Sequence, residues 1–370
     1  MNNNKLVLID ALVGLILLPV SVGVRQLKKR MFKRRAEKAA GILVIKFLGA
    51  GNYLAIKNAM QEDDFDIVTV RGNLAALRKF EIGRDILVLE DKGIVSLGIS
   101  ALQTLWKLHG RTYKQVINLE AESKFAKFLT AAVNAETVSG LSNANKSYID
   151  YFLYDRYLVN PTFTHKGDVI RLLRRFEPQS NPVVVTSIDI LRDAFVRNIS
   201  MQGIRSVVLS PTCSSTDNLR RISAAHWRHI AKTLADRGTK RLLAVFPDSA
   251  DIQYEEFVRL ASEVGLLEVK TTNYDEFVAS INQADLVVTV DSQALHIAQL
   301  SATRAIAVYG PTSPFGVNFE ETTYPVTMSL ACSPCTHKYL QLPCGGAAPC
   351  TDIPLESFAI LSKVNDAECM

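Results

Sequence analysis

Short apolar runs alternate with stretches of helical periodicity along most of the chain from Gly41 onward. Such alternation favours parallel sheets whose strands are joined by right-handed helical crossovers. The pattern therefore predicts an α/β protein. The predicted strands are 42–46, 67–70, 86–89, 116–119, 207–210, 242–246, 267–270, 286–290 and 305–309. The predicted helices of the first half are 53–60, 74–80, 95–108 and 123–133.

The alternation stops between residues 140 and 182, where Asn, Ser and Tyr are frequent and three prolines interrupt the chain. This segment is predicted to connect two lobes, and 370 residues are enough for two separate cores. We expect an N-terminal segment at 1–40, a first Rossmann-like lobe at 41–180 and a second at 181–370, with a cleft between the lobes.

An apolar stretch at residues 6–24, broken by Asp10 and Pro19, precedes a basic run at 25–35. Because the charges follow the apolar residues, a cleaved signal peptide is disfavoured. Three interpretations stay open. The stretch spans the membrane with the rest of the chain in the cytoplasm, lies in the membrane plane with the basic run on anionic head groups, or packs on the protein's own body. The first two predict a membrane contact through residues 6–35.

The net charge of +5 is concentrated in that basic run. Setting aside its seven basic residues leaves 35 of the 42 Lys and Arg residues against 37 acidic ones. The remainder of the chain is therefore close to neutral, and no nucleic-acid-binding surface is expected.

Polar residues follow two of the predicted strands in the second half. Strand 286–290 runs into Asp291 before a helix, and strand 305–309 ends at Gly310-Pro311-Thr312. In an open parallel sheet such strand ends line the ligand crevice, and the amides at a helix start favour an anion. The arrangement predicts a phosphate-bearing ligand, with ordinary loop chemistry as the alternative.

The run VDSQALHIAQL…AIAVYGPTSP resembles the C-terminal signature of glycosyltransferase family 9, the heptosyltransferase-like enzymes of GT-B fold. That signature reads Asp-Thr-Gly-x-x-His followed by Gly-Pro-Thr. Ser292 and Gln293 replace its Thr and Gly, and Gln293 lacks the small size that lets backbone approach a phosphate. The resemblance extends from Gly41 to about Phe358. The residues that match the signature are Asp291, His296, Gly310, Pro311 and Thr312.

The resemblance implies an inverting, metal-independent transferase that moves a heptose or similar sugar from a nucleotide-diphosphate donor. The acceptor would be lipopolysaccharide or a lipid-linked glycan at the cytoplasmic face of the bacterial inner membrane, and catalysis would require no cofactor. ADP-heptose is the family's usual donor, and UDP- or GDP-sugars stay possible. The alternatives are a catalytically silent binding or scaffold subunit, and an NAD(P) oxidoreductase, which Asn52, Leu54 and Arg71 disfavour.

On the acceptor side, Lys46 ends the first strand and Gly49 and Gly51 follow in a turn. The resemblance places Asn52 where the family has its general base, an Asp. An amide does not accept a proton at neutral pH, so we hypothesise that Glu120, after strand 116–119, is the base. The alternative for Glu120 is a carboxylate stabilised by the dipole of the following helix.

On the donor side, a hydroxyl-rich loop containing Thr212 and Ser214 precedes Arg220 and Arg221. By resemblance these residues contact the donor phosphates, and a guanidinium can hold two phosphate oxygens. Asp251 is expected to bind the ribose, although Asp248 competes for this assignment. The alternatives are solvated basic residues and helix caps.

Two sequence patterns concern metals. Asp64-Phe65-Asp66 matches the Asp-x-Asp of metal-dependent GT-A enzymes, but it comes before a strand and therefore lies away from the crevice. We expect positive side chains and helix N-termini to stabilise the leaving diphosphate instead. A cluster of four cysteines predicts a possible structural zinc, with free or oxidised thiols as the alternative. Its members are Cys332, Cys335, Cys344 and Cys350.

Overall fold

The computed structural model divides into two compact units. Unit 1 comprises Met1–Pro161 and Lys166–Pro182, and unit 2 comprises Thr162–His165 and Val183–Met370. The structure describes residues 10, 13–31, 41–47, 49, 52–60, 64–142, 148–159, 166–175, 188–213, 218–316, 322–328, 330–335 and 342–365.

Unit 1 contains a six-stranded parallel sheet of order β3-β2-β1-β4-β5-β6. Three of its strands, with the sequences ILVI, FDIVTV and ILVL, are mostly apolar, as expected where helices cover both faces of a sheet. The strands are β1 Ile42–Ile45, β2 Phe65–Val70, β3 Ile86–Leu89, β4 Thr112–Asn118, β5 Asn134–Ser142 and β6 Arg156–Val159.

The helices of unit 1 lie on two sides of this sheet. The chain moves along the sheet from β1 to β3 in one direction, and from β3 through β4 to β6 in the other. Right-handed crossovers therefore put α2 and α3 on one face and α4, α5 and α6 on the opposite face. Helix α7 packs against α2. The helices are α1 Leu18–Met31, α2 Asn52–Ala59, α3 Leu74–Lys79, α4 Ile94–His109, α5 Lys124–Ala132, α6 Tyr148–Leu153 and α7 Lys166–Arg175, with a π-helical turn at Val13–Leu17.

The N-terminal segment, which comprises the π-helical turn and α1, packs along α5 and α6. At its start the Asp10 carboxylate accepts a hydrogen bond from the backbone N–H of Phe125 at 3.0 Å. Further along, Arg25 forms an ion pair with Asp155 at 2.9 Å. The third of the three interpretations, packing on the protein's own body, describes these contacts.

None of the helices in the described ranges combines the length and apolar character needed to cross a bilayer.

Unit 2 repeats the topology of unit 1, with a parallel sheet of order β12-β11-β10-β7-β8-β9. A buried core that includes Trp227, Phe246 and Phe257 fills the space under its helices. The strands are β7 Ser206–Ser210, β8 Arg241–Phe246, β9 Leu267–Thr271, β10 Leu286–Val290, β11 Arg304–Tyr309 and β12 Thr323–Thr327. The helices are α8 Ile188–Asn198, α9 Ala224–Asp236, α10 Tyr254–Glu263, α11 Tyr274–Asn282 and α12 Gln293–Leu300, with 3₁₀ segments at Asn218–Arg220, Pro314–Gly316, Pro349–Thr351 and Leu355–Lys363.

All nine predicted strands are present, but the predicted connector at 140–182 was wrong. It contains the end of β5, then α6, β6 and α7. The polar residues of β5 concealed it, because they are buried against polar partners: Ser142 donates a hydrogen bond to Asp150 at 2.6 Å. Gly140 is required there, since a Cβ would lie 2.2 Å from the Tyr154 ring. Helix α8 and strand β12 were also missed.

Candidate functional site

The order of the strands in unit 2 reverses between β7 and β10. Chain order proceeds outward from β7 on one side and from β10 on the other, which makes this the topological switch point where α/β sheets bind ligands. The carboxyl ends of β7, β10 and β11 are neighbours in the sheet. They bring together three predicted groups of residues, namely Thr212, then Asp291-Ser292-Gln293, then Gly310-Pro311-Thr312.

Helix α12 begins directly at this switch point. Its N-cap is Ser292, whose Oγ accepts a hydrogen bond from the Ala294 N–H at 3.3 Å. Asp291 is buried, and its N–H donates to the Val308 carbonyl at 3.0 Å. The other predicted residue of this helix, His296, lies in its first turn. The N-terminal amides of α12 therefore face the edge of the sheet where an anionic ligand is favoured.

The Gln293 side chain is held by a neighbouring helix. Its Nε2 donates a hydrogen bond to the Tyr274 hydroxyl of α11 at 2.7 Å. Burial raises the pKa of Tyr274 to about 12, so this hydroxyl is protonated at neutral pH. The residue that departs from the family signature is thus accommodated by a contact within unit 2.

Arg220 brings a positive charge to the start of α12. Its guanidinium donates to the Asp291 carbonyl at 2.7 Å and lies 3.7 Å from the Asp291 carboxylate. Arg221, by contrast, holds both carboxylate oxygens of Asp251, at 2.9 and 2.8 Å, and both side chains are about nine-tenths buried. Two predicted donor ligands, Arg221 and Asp251, are therefore engaged with each other.

Two buried hydroxyls at the switch point lack a hydrogen-bond partner among the described residues. They are Ser210 Oγ, at the end of β7, and Thr312 Oγ1, after β11. Protein atoms enclose both oxygens, so neither hydroxyl is exposed at the edge of the sheet. The competing carboxylate Asp248 accepts from the Ala250 N–H at 2.9 Å in an exposed turn. Ser214 lies outside the described residues.

The Gly310-Pro311-Thr312 turn packs against the cysteine-rich segment. A Cβ at Gly310 would lie 2.6 Å from Thr351 Cγ2, so this position requires glycine. The Cys335 N–H donates to the Pro311 carbonyl at 3.0 Å. The cysteine-rich segment therefore supports one edge of the switch point.

The four predicted metal ligands are reduced cysteines, none of them in a disulfide. Backbone amides of Ala348 and Gly346 lower the pKa of Cys344, whereas burial and the nearby Cys335 raise the pKa of Cys350 to about 11. Within the described ranges, no three His, Cys, Asp or Glu side chains are arranged to hold a metal ion. Structural zinc at these cysteines stays a prediction.

The switch point of unit 1 lies between β1 and β4 and is occupied by an ion pair. Lys46 Nζ lies 2.6 Å from Glu120 Oε1, and the Phe47 N–H donates to the same oxygen at 2.8 Å. Lys46 and Glu120 are each 8% exposed. The sequence analysis missed this pair, although a Lys and a Glu at the ends of adjacent strands were its signal.

The other predicted residues of the first lobe fall in the turn after β1. Gly49 has φ +80°, a left-handed conformation that favours glycine. Asn52 is the first residue of α2. Gly51 lies outside the described residues.

The second acid of the Asp-x-Asp match, Asp66, is held by three neighbouring side chains. Asp66 is 1% exposed at the start of β2, where Arg84, Arg111 and Tyr113 all bond to its carboxylate. These contacts lie at the amino end of the strand, on the side of the sheet away from the switch point. The placement agrees with its predicted distance from the crevice.

Comparisons with known proteins identify the family. A model of glycosyltransferase family 9 (heptosyltransferase) matches residues 102–343, more than half of the chain. Among solved structures, the E. coli heptosyltransferase WaaC with ADP is 19% identical, with a TM-score of 0.58 over 77% of this chain and 92% of that one. The E. coli ADP-heptose lipopolysaccharide heptosyltransferase II is 15% identical, with a TM-score of 0.56 over 89% and 100%.

A glycosyltransferase family 9 protein from Veillonella parvula is 14% identical, with a TM-score of 0.58 over 77% of this chain and 84% of that one. A search of curated proteins by sequence gave no match. The structural similarities concern the fold, an α/β architecture of GT-B type with two parallel six-stranded sheets. On the strength of the family match, this chain belongs to glycosyltransferase family 9, the heptosyltransferase family.

Proposed function

We propose that this glycosyltransferase is inverting and metal-independent, and transfers a heptose or similar sugar from a nucleotide-diphosphate donor. The acceptor is lipopolysaccharide or a lipid-linked glycan at the cytoplasmic face of the bacterial inner membrane. The observation that carries the proposal is the switch point of unit 2, where the guanidinium of Arg220 lies at the N-terminus of α12. Two relatives support it. The structure of WaaC is described as a heptosyltransferase with ADP, and the other enzyme as an ADP-heptose lipopolysaccharide heptosyltransferase.

The switch point of unit 2 has the chemistry of a diphosphate site. The amides of α12 and the guanidinium of Arg220 favour negative charge, which is greatest on the leaving diphosphate. This chain's own groups thus stabilise the leaving group in the proposed reaction, and no cofactor takes part.

Glu120 is the proposed base, because Asn52 replaces the family's acid. Its carboxylate would take the proton of the acceptor hydroxyl while Lys46 and the Phe47 N–H hold it in place. In the alternative, the protein is a catalytically silent member that binds nucleotide sugars, and the Lys46–Glu120 pair only orders the turn after β1. Asn52 and Gln293 favour that alternative.

Calorimetric titration of the full chain with ADP, ADP-heptose, UDP-sugars and GDP-sugars tests the donor. We expect one donor to bind, and release of its nucleoside diphosphate when lipopolysaccharide precursor in vesicles is added. Binding without release would identify a silent member. Absence of binding to every nucleotide sugar would contradict the proposal.

We also propose structural zinc at the four cysteines, which is independent of catalysis. Cys344 has the lowered pKa and a partly exposed thiol, so in zinc-free protein it forms thiolate at lower pH and reacts with iodoacetamide before Cys350. Bound zinc would protect both until a chelator is added. Mass spectrometry of alkylated protein, with metal analysis, measures this, and equal labelling with and without chelator would remove the zinc proposal.

A further inference from the structure

Helix α4 is apolar on both its inner and its outer side. The inner stripe, which includes Leu97 and Leu108, is buried against the sheet. The outer stripe repeats at intervals of four, three and four residues. Its members and exposures are Val95 74%, Ile99 52%, Leu102 70% and Trp106 82%. A helix that is apolar all round is normally covered on all sides, by protein or by lipid.

The same side of the unit 1 sheet carries two more exposed apolar sets. Helix α6 lies on this face because of the crossover direction, and the N-terminal segment packs against α5 and α6. The exposed set of the N-terminal segment is Leu15, Ile16, Leu17, Val20, Val24 and Leu27, and that of α6 is Tyr148, Tyr151 and Phe152. We call these two sets and the α4 stripe the docking face.

A groove of about 390 Å³ lies within the docking face, between α1 and α6. Pro19, Leu27, Ile149 and Phe152 are among the residues that line it. Its lining is mostly apolar, as a site for a lipid chain requires. The groove connects the exposed residues of the N-terminal segment to those of α6.

The charges of the docking face have one sign. From Val13 to Met31 the N-terminal segment contains no acidic residue, and neither does α4. Asp10, at the start of the segment, accepts the Phe125 N–H, and the one acid of α6, Asp150, is 2% exposed and bonded to Ser142 and Lys127. Exposed basic side chains, Lys28 and Lys107, lie at the C-terminal ends of the two longer helices. The acids that precede α4 most closely in the chain, Glu90 and Asp91, interact with Arg71.

We propose that the docking face inserts into the head-group region of an anionic bilayer, with α4 as a second contact beside the N-terminal segment. Apolar residues together with basic ones, and exposed Trp and Tyr, are the composition that such an interface favours. A second copy of this chain is a poorer occupant, because two basic surfaces would face each other. The inference extends the membrane contact that the sequence analysis predicted for residues 6–35 to Val95, Ile99, Leu102 and Trp106.

Binding to vesicles tests the docking face directly, without reference to transferase activity. The full chain is mixed with vesicles of phosphatidylcholine alone or with 30% phosphatidylglycerol, and bound protein is measured by flotation. We expect the double variant Leu102→Ser/Trp106→Ser to bind anionic vesicles at least tenfold more weakly. The matched control is Ile252→Ser, which changes a 69% exposed residue of unit 2.

Trp106 also reports its own insertion. The other tryptophan, Trp227, is fully buried in unit 2, so quenching by brominated lipids identifies Trp106. Quenching together with the loss in the double variant supports the docking face. Vesicle binding with no quenching and an unaffected double variant would overturn it. An oligomer that the double variant converts to monomer, without vesicle binding, would assign the stripe to a second copy and overturn it as well. In both cases the proposed transferase activity would stand.

Discussion

Units 1 and 2 have the same strand order but use their switch points differently. In unit 1, Lys46 and Glu120 fill the switch point with a buried ion pair, and the two charges neutralise each other. In unit 2, Arg220 donates to a backbone carbonyl, and its distance to the Asp291 carboxylate is longer, 3.7 Å. The same topology thus gives a 2.6 Å ion pair in unit 1, and in unit 2 an arginine that donates to a backbone carbonyl at a helix N-terminus and lies farther from its carboxylate partner.

The helices that follow the two switch points differ in the same sense. At α5, the Ser123 N-cap is joined by the carboxylate of Asp10, which accepts the Phe125 N–H at 3.0 Å. At α12, the corresponding cap is the Ser292 hydroxyl, which is neutral. The N-terminal segment therefore supplies to α5 the anion that a donor diphosphate would supply to α12.

Glu120→Gln should produce the largest change in activity if Glu120 of the unit 1 pair takes part in catalysis as well as in structure. The amide still accepts hydrogen bonds from Lys46 and Phe47 but no longer takes a proton. We expect the turnover number to fall roughly 10²- to 10⁴-fold with donor affinity unchanged. Steady-state transfer assays and calorimetry measure the two quantities. The control is Glu122→Gln, which changes an exposed carboxylate two residues further along the chain. Full activity of Glu120→Gln would leave the pair with a structural role.

Arg221→Met should act on stability. The substitution leaves Asp251 buried without its bidentate partner, and breaking a buried pair costs about 3–5 kcal/mol. Urea unfolding of unit 2, followed by the fluorescence of buried Trp227, measures the loss. An unchanged midpoint would show that the pair is dispensable for stability. Arg221 would then again be a candidate ligand of the donor phosphates.

Arg220→Met should act on binding, in contrast to its neighbour. Loss of a charged hydrogen-bond donor costs about 1.5–3 kcal/mol, which is roughly a 10- to 100-fold rise in the donor Kd. Arg220→Lys keeps the charge and should recover part of the affinity. Calorimetry with the preferred donor measures both variants. If Arg221→Met weakens donor binding more than Arg220→Met does, the assignment of the two arginines is reversed.

The strand ends that form the two switch points could largely be predicted from the sequence, but the side-chain pairs at these sites could not. Apolar runs followed by Asp291 and Gly310 predicted the edge of the unit 2 sheet, because the local pattern determines where a strand stops. The pairs Lys46–Glu120 and Arg221–Asp251 join residues that are 74 and 30 positions apart. Strand order decides such contacts, and no local pattern encodes it. Strand β5 was missed for a related reason, since its polar residues are buried against polar side chains from elsewhere.

Asp10→Ala should have the smallest effect and gives the sharpest test of the comparison. Removing the carboxylate from the start of α5 should lower stability by about 0.5–2 kcal/mol, and Asp10→Asn, which keeps an acceptor, should lose less. Hydrogen exchange of the α5 amides measures the local loss. The vacated N-terminus should then attract anions as α12 does, so phosphate should protect α5 in Asp10→Ala more than in the wild type. Equal protection by phosphate in Asp10→Ala and in the wild type would mean that Asp10 acts through packing. A helix N-terminus alone would then not explain why the unit 2 site favours an anion.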